Sequence, residues 1–138
     1  MFQKELQIIE KFKNHLTNNS TPFDFSEIAF EFNYINGRVD LIGSNSFGEL
    51  FAFEAKLSKW RIALNQAYRN SSFAHYSYIL LPSCKIYLAL KNSNEFTRRG
   101  VGLCSINQDI IRIEIEAPKN DPLQPWLTSS ALNYIEST

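Results

Sequence analysis

The chain has 138 residues, 44% of them hydrophobic and 20% charged, and its 14 Lys and Arg balance its 14 Asp and Glu. That length suits one domain able to bury a real core, and no apolar run approaches the ~18 residues of a membrane-spanning helix. The zero net charge conceals an asymmetry: residues 1–54 hold eight acids and four bases, residues 55–94 six bases and no acid, and residues 95–138 six acids and four bases.

Met1 to Glu5 carries a charged amphipathic pattern rather than that of a signal peptide. Phe2, Leu6, Ile9, Phe12 and Leu16 fall on one stripe, which predicts a helix over residues 2–16. Asn18 to Pro22 reads as a loop. From Glu27 the pattern turns to period two, with Ile28, Phe30, Phe32 and Tyr34 alternating with smaller or polar residues. Asn36-Gly37 signals a two-residue hairpin turn. With those two as the loop, Ile35 pairs with Arg38, Asn33 with Asp40 and Glu31 with Ile42. Phe32, Tyr34, Val39 and Leu41 then share a core face, and Glu31, Asn33 and Asp40 share the opposite one. The second strand is predicted at about Arg38 to Gly43 and the third at about Glu49 to Leu57. On the third, Phe51, Phe53, Ala55 and Leu57 face the core, leaving Glu54 and Lys56 on the other side.

Ser58 is placed to cap a helix over about residues 59–73, whose packing stripe is Trp60, Ala63, Leu64 and Ala67. Tyr76 to Leu81 is a nearly continuous apolar run ending at Pro82, as expected of a strand covered on both faces and reached by a parallel crossover. Residues 83–99 admit a short strand or a helix ending before Gly100. Val101 to Ile106 and Ile110 to Ile115 read as strands, and Trp126 to Ile135 as a terminal helix. Residues 1–138 are read as one domain, with a core over about 1–117 and a C-terminal tail over about 118–138. Cys84 and Cys104 lack metal-ligand spacing and are expected to be reduced, buried thiols of a cytoplasmic protein. His15 and His75 stand isolated.

Asp40, Glu54 and Lys56 are separated by even numbers of residues, so neighbouring strands can present them on one face. Acids that close repel one another and raise a pKa unless a cation joins them. Mg²⁺ suits carboxylates, waters and phosphate oxygens. The plain alternative is a sheet with one solvated face. Lys59 and Arg61 fall in the first turn of the following helix, where cations oppose the macrodipole and a phosphate is the natural ligand. The acid-free block around them suits an anionic polymer, although solvated surface cations give the same pattern.

Asp40, Glu54-Ala55-Lys56, the run Leu57-Ser58-Lys59-Trp60-Arg61, the run Gln66-Ala67-Tyr68-Arg69-Asn70 and Tyr76 to Pro82 together resemble the PD-(D/E)XK nuclease superfamily, in the manner of its small stand-alone members. The similarity covers about residues 1–117, with 37–82 the specific part; Val39 stands where proline often precedes the first acid. The resemblance implies an α/β fold with a restriction-endonuclease-like core, in which a mixed sheet of antiparallel hairpins plus a parallel crossover strand is flanked by helices. It implies a nuclease hydrolysing DNA phosphodiester bonds with Mg²⁺, or Mn²⁺ in its place. Asp40 and Glu54, helped by the Ala55 carbonyl, would bind the metal. Lys56 would orient the attacking water or stabilise charge on the phosphate, and Gln66 would hold the water, the lysine or the phosphate. Lys59, Arg61 and Arg69 would contact DNA phosphates. A further acid, from Glu5, Glu10 or Glu31, is left open. Without the resemblance, Gln66 is an ordinary exposed helix residue, and Trp60 and Tyr68 are packing residues. Alternatives are a silent nuclease-like fold that binds nucleic acid or protein, and a cleavage subunit of a larger restriction or repair assembly. No recognition helix or zinc module is visible, so specificity is expected from short loops, a homodimer or a partner protein.

Overall fold

The computed structural model describes residues 2–35 and 37–138. In chain order the elements are α1 (Glu5–Thr17), β1 (Glu27–Tyr34), β2 (Gly37–Ser44), β3 (Leu50–Ala55), α2 (Trp60–Asn70), β4 (Tyr76–Pro82), α3 (Ile86–Lys91), α4 (Ser93–Arg99), β5 (Gly102–Ile106), β6 (Ile111–Ile115) and α5 (Pro125–Ser137). The strands form one mixed six-stranded sheet in sequence order. β1–β2, β2–β3 and β5–β6 are antiparallel, whereas β3–β4 and β4–β5 are parallel. The crossover from β3 through α2 to β4 is the one that the apolar run at Tyr76 predicts. Residues 83–99, open between strand and helix, are helical, and Gly100 closes α4 in a left-handed conformation (φ 69°) suited to glycine.

Helices cover both faces of the sheet. On one, Ile8, Ile9 and Phe12 of α1 pack on Leu41, Phe53, Ala55, Tyr78 and Leu80. On the other, α5 lays Ala131 and Ile135 over β1 and β2, while α2 lays Trp60, Ala63, Leu64 and Ala67 over Ile79, Leu81 and Leu103. Residues 118–138 thus supply a helix that completes this layer; Thr128 donates its hydroxyl to the Phe73 carbonyl at 2.6 Å.

The β1–β2 hairpin departs from the predicted register by two residues. Tyr34 pairs with Gly37, Asn33 with Arg38, Phe32 with Val39 and Phe30 with Leu41. Gly37 therefore belongs to the ladder and not to the loop, and Asn36, the other residue of the expected turn, lies outside the described residues. The expected pairs Ile35–Arg38, Asn33–Asp40 and Glu31–Ile42 are not formed. The ladder also skips Glu31 and Asp40, and Glu31 has a left-handed backbone (φ 57°) that L side chains rarely adopt. At this irregularity the pair switches faces. Phe32 and Val39 pack under α5, whereas Leu41 packs under α1, so the four do not share one face as predicted.

Two smaller expectations also fail. α2 begins at Trp60 with Lys59 as its N-cap and no side-chain cap bond, so Ser58 does not cap it. Cys104 is buried but Cys84, in the turn after β4, is exposed.

Candidate active site

β3 alternates strictly. Phe53 and Ala55 pack under α1 and Leu50 and Ala52 under α5, so Glu54 is driven into the layer that α2 covers. It is 2% exposed, and a charge there needs compensation. Part of it comes from Asn70 in the last turn of α2, itself 1% exposed. Asn70 Nδ2 donates to Glu54 Oε2 at 2.8 Å, and the Tyr34 hydroxyl donates to Asn70 Oδ1 at 3.0 Å.

Asp40 lies where β2 and β3 part. Their pairing ends at Leu41–Phe53, and beyond it the Ala55 N–H donates to Asp40 Oδ2 at 2.8 Å. A side chain takes over from the ladder, and the Asp40 carboxyl comes to lie beside that of Glu54. Burial above all, and then the Asp40 charge, push Glu54 up to about 8, against the opposing pull of the Asn70 bond and Lys56. Burial likewise raises Asp40, opposed by the Ala55 amide, Arg38 and Lys56. Near neutral pH the pair therefore keeps a proton, which a cation would displace.

Lys56 reaches the site from another direction than expected. β3 ends at Ala55, and although the Lys56 N–H still donates to the Leu80 carbonyl at 3.1 Å, its side chain crosses toward α1. Its Nζ stands 3.9 Å from Glu5 Oε1 and its side chain is 22% exposed. The shared face of Glu54 and Lys56 is thus corrected: the strand's end frees Lys56 from the period-two rule. Glu5, Glu10, Glu31 and Asp40 line one cleft of about 430 Å³ together with Lys13 and Arg38. Of the three candidate further acids, Glu5 is the one paired with Lys56, while Glu31 is paired with Arg38 at 3.8 Å.

The remaining candidates are dispersed. Gln66 is partly buried one turn before Asn70 and forms none of the side-chain hydrogen bonds at the carboxylates. Lys59 and Arg61 lie at the start of α2 and Arg69 at its end. Arg61 is engaged locally, 3.1 Å from Glu95 and stacked on Trp60 at 4.4 Å. Trp60 packs as expected, but Tyr68 is 53% exposed. The side chain that the sequence conceals is Asn70. Its one signal is position: it follows Gln66 by four residues and so shares its helix face.

Among the described residues no three His, Cys, Asp or Glu side chains are arranged to hold a metal. A cation at Asp40 and Glu54 would have two carboxylates, with a backbone carbonyl, waters and substrate oxygens completing its shell. That donor set fits Mg²⁺, which retains waters and takes one or two carboxylates. No helix among the described residues is long and apolar enough to cross a membrane.

The fold is found elsewhere. A protein of unknown function from Silicibacter pomeroyi is similar at a TM-score of 0.68 with 16% identity, over 99% of this chain and 86% of its own. A repair endonuclease from Pyrococcus abyssi matches at a TM-score of 0.45 with 14% identity, over 68% of this chain and 46% of its own. The first likeness shows a common fold and no more; the second is too slight to add to it. No known family profile and no curated protein matches the sequence.

Proposed function

We propose that this chain is a metal-dependent nuclease that hydrolyses DNA phosphodiester bonds at Asp40, Glu54 and Lys56. The observation that supports it most is the carboxyl of buried Glu54 set beside that of half-buried Asp40. Glu54 and Asp40 are held side by side against their mutual repulsion, where an apolar side chain would pack at no such cost. A group so perturbed and so placed is a functional-site candidate rather than a packing element.

Asp40 and Glu54, with the Ala55 carbonyl, are the residues to hold Mg²⁺ or Mn²⁺. Bound there, the cation would offset negative charge on the phosphate and lower the pKa of a water. Asn70 fixes the orientation of Glu54 through its amide, and Tyr34 fixes that of Asn70. Lys56, held at the cleft by Glu5, orients the attacking water or stabilises charge on the scissile phosphate. Gln66 is assigned a hydrogen bond to water, lysine or phosphate. Lys59, Arg61 and Arg69 contact the DNA backbone without reading sequence. A cut in both strands would need a homodimer or a partner protein.

The test is incubation of plasmid and linear DNA with the wild-type chain and Lys56→Ala, in Mg²⁺ or Mn²⁺. Cleavage by the wild type alone supports the proposal. Equal cleavage by both proteins refutes it, as does DNA binding that persists in EDTA without cleavage in either metal. The latter would mark a nuclease-like fold kept for binding.

A further inference from the structure

A second cleft, of about 620 Å³, opens at the end of α2. Its charged lining residues are Arg69, Arg99 and Lys119, with no acid among them, whereas the first cleft is lined by four acids. Lys119 is paired with Glu49 at 2.9 Å, and Arg99 donates to the Asn65 side chain. Arg69 has no ion pair among the described residues. Like charges gathered about one concavity attract an anion to it.

Size and lining narrow the anion. The volume lies within the roughly 300–1,000 Å³ of sites that enclose a small ligand, room for roughly one or two nucleotides and not for a duplex. The half-exposed ring of Tyr68 stands on the wall, and an aromatic face beside cations is how proteins hold unpaired bases irrespective of sequence. The cleft is also wired to the carboxylates. Tyr34 lines it and donates to Asn70, which donates to Glu54.

We infer that this cleft holds an unpaired nucleotide of single-stranded DNA, with its phosphates on Arg69 and Arg99 and its base against Tyr68. Resting on the proposed nuclease reading, the inference makes the substrate a strand end, flap or gap rather than an uninterrupted duplex.

The experiment is fluorescence anisotropy in EDTA, with a labelled oligothymidine and a blunt duplex of equal length. The proteins are the wild type, Tyr68→Ala and the double variant Arg69→Ala/Arg99→Ala, with circular-dichroism melting as a control for folding. The expected result is binding of the single strand about tenfold tighter than the duplex, and a loss of about tenfold in each variant whose melting is unchanged. The double variant should also show a salt dependence shallower by about 1.4, for two lost phosphate contacts to a single strand. Equal affinity for the two DNAs, or unaltered single-strand binding in both variants, overturns the inference. Because binding is read without metal, its outcome is separate from that of cleavage. A wild type that never cuts yet prefers single strands in this way supports the cleft while refuting the nuclease. A wild type that cuts but shows no such preference does the reverse.

Discussion

Replacing Glu54 by Gln should make the metal-free protein more stable. Folded Glu54 keeps a proton that the unfolded chain releases, since its value rises from 4.5 to about 8 on folding. Stability is therefore fullest below the unfolded value and drains as pH climbs toward the folded one. At ~1.4 kcal/mol per unit, the shift bounds the loss at about 4 kcal/mol by pH 8 and about 1 kcal/mol at pH 5.5. Glutamine removes the titration while keeping an oxygen for Asn70 Nδ2 and offering an N–H to Asp40. The bond to Asn70 weakens by about 1 kcal/mol when its acceptor loses charge. The net gain expected at pH 8 is then about 1–3 kcal/mol, against little or none at pH 5.5. Urea unfolding in EDTA, followed by tryptophan fluorescence at both pH values, measures it. Titrating groups that do not face Glu54, such as His75, whose value burial lowers, act alike in both proteins and cancel in the difference, leaving Glu54 and its neighbour Asp40 to set it. A variant less stable than wild type at pH 8, or one with an unchanged pH slope, would refute the reasoning.

Three further outcomes are expected. Asn70→Ala removes the amide that bonds Glu54 Oε2 and accepts from the Tyr34 hydroxyl and should destabilise the fold by about 1–3 kcal/mol in thermal melts, whereas a surface asparagine would leave melting within about 0.5 kcal/mol. Mg²⁺ binding should release a proton near pH 7, so calorimetry in buffers of different ionisation enthalpy should show a buffer-dependent heat, absent in Glu54→Gln. Asp40→Asn removes the charge beside Glu54 and should lower the Glu54 pKa in a carbon-13 NMR titration; an unmoved or raised value would show that the two carboxyls are not neighbours.

The parts of the fold legible in the sequence are those written as periodicity. Alternation in Leu50 to Ala55 and the unbroken run Tyr76 to Leu81 identify a central strand and its parallel neighbour, and the even spacing of Asp40 and Glu54 foretells their meeting. What the sequence hides has no period. The skip at Glu31 and Asp40 is a backbone irregularity that swings Phe32 and Val39 to the α5 side, while the register, the same on both sides of the skip, is set at the turn, where Gly37 joins the ladder. Lys56 lies one residue past the end of β3, where alternation ceases to bind, and so it reaches Glu5 instead of standing over Glu54. Asn70 looks like a solvated helix residue until tertiary packing buries it against a carboxylate, because propensity and pattern carry no information on what a helix face will meet.

The most direct measurement is anomalous scattering from a crystal soaked in Mn²⁺. A peak bound by the Asp40 and Glu54 carboxylates beside the Ala55 carbonyl is the predicted result. A soaked crystal with no peak there, or with manganese held only by other residues, would contradict the proposed site.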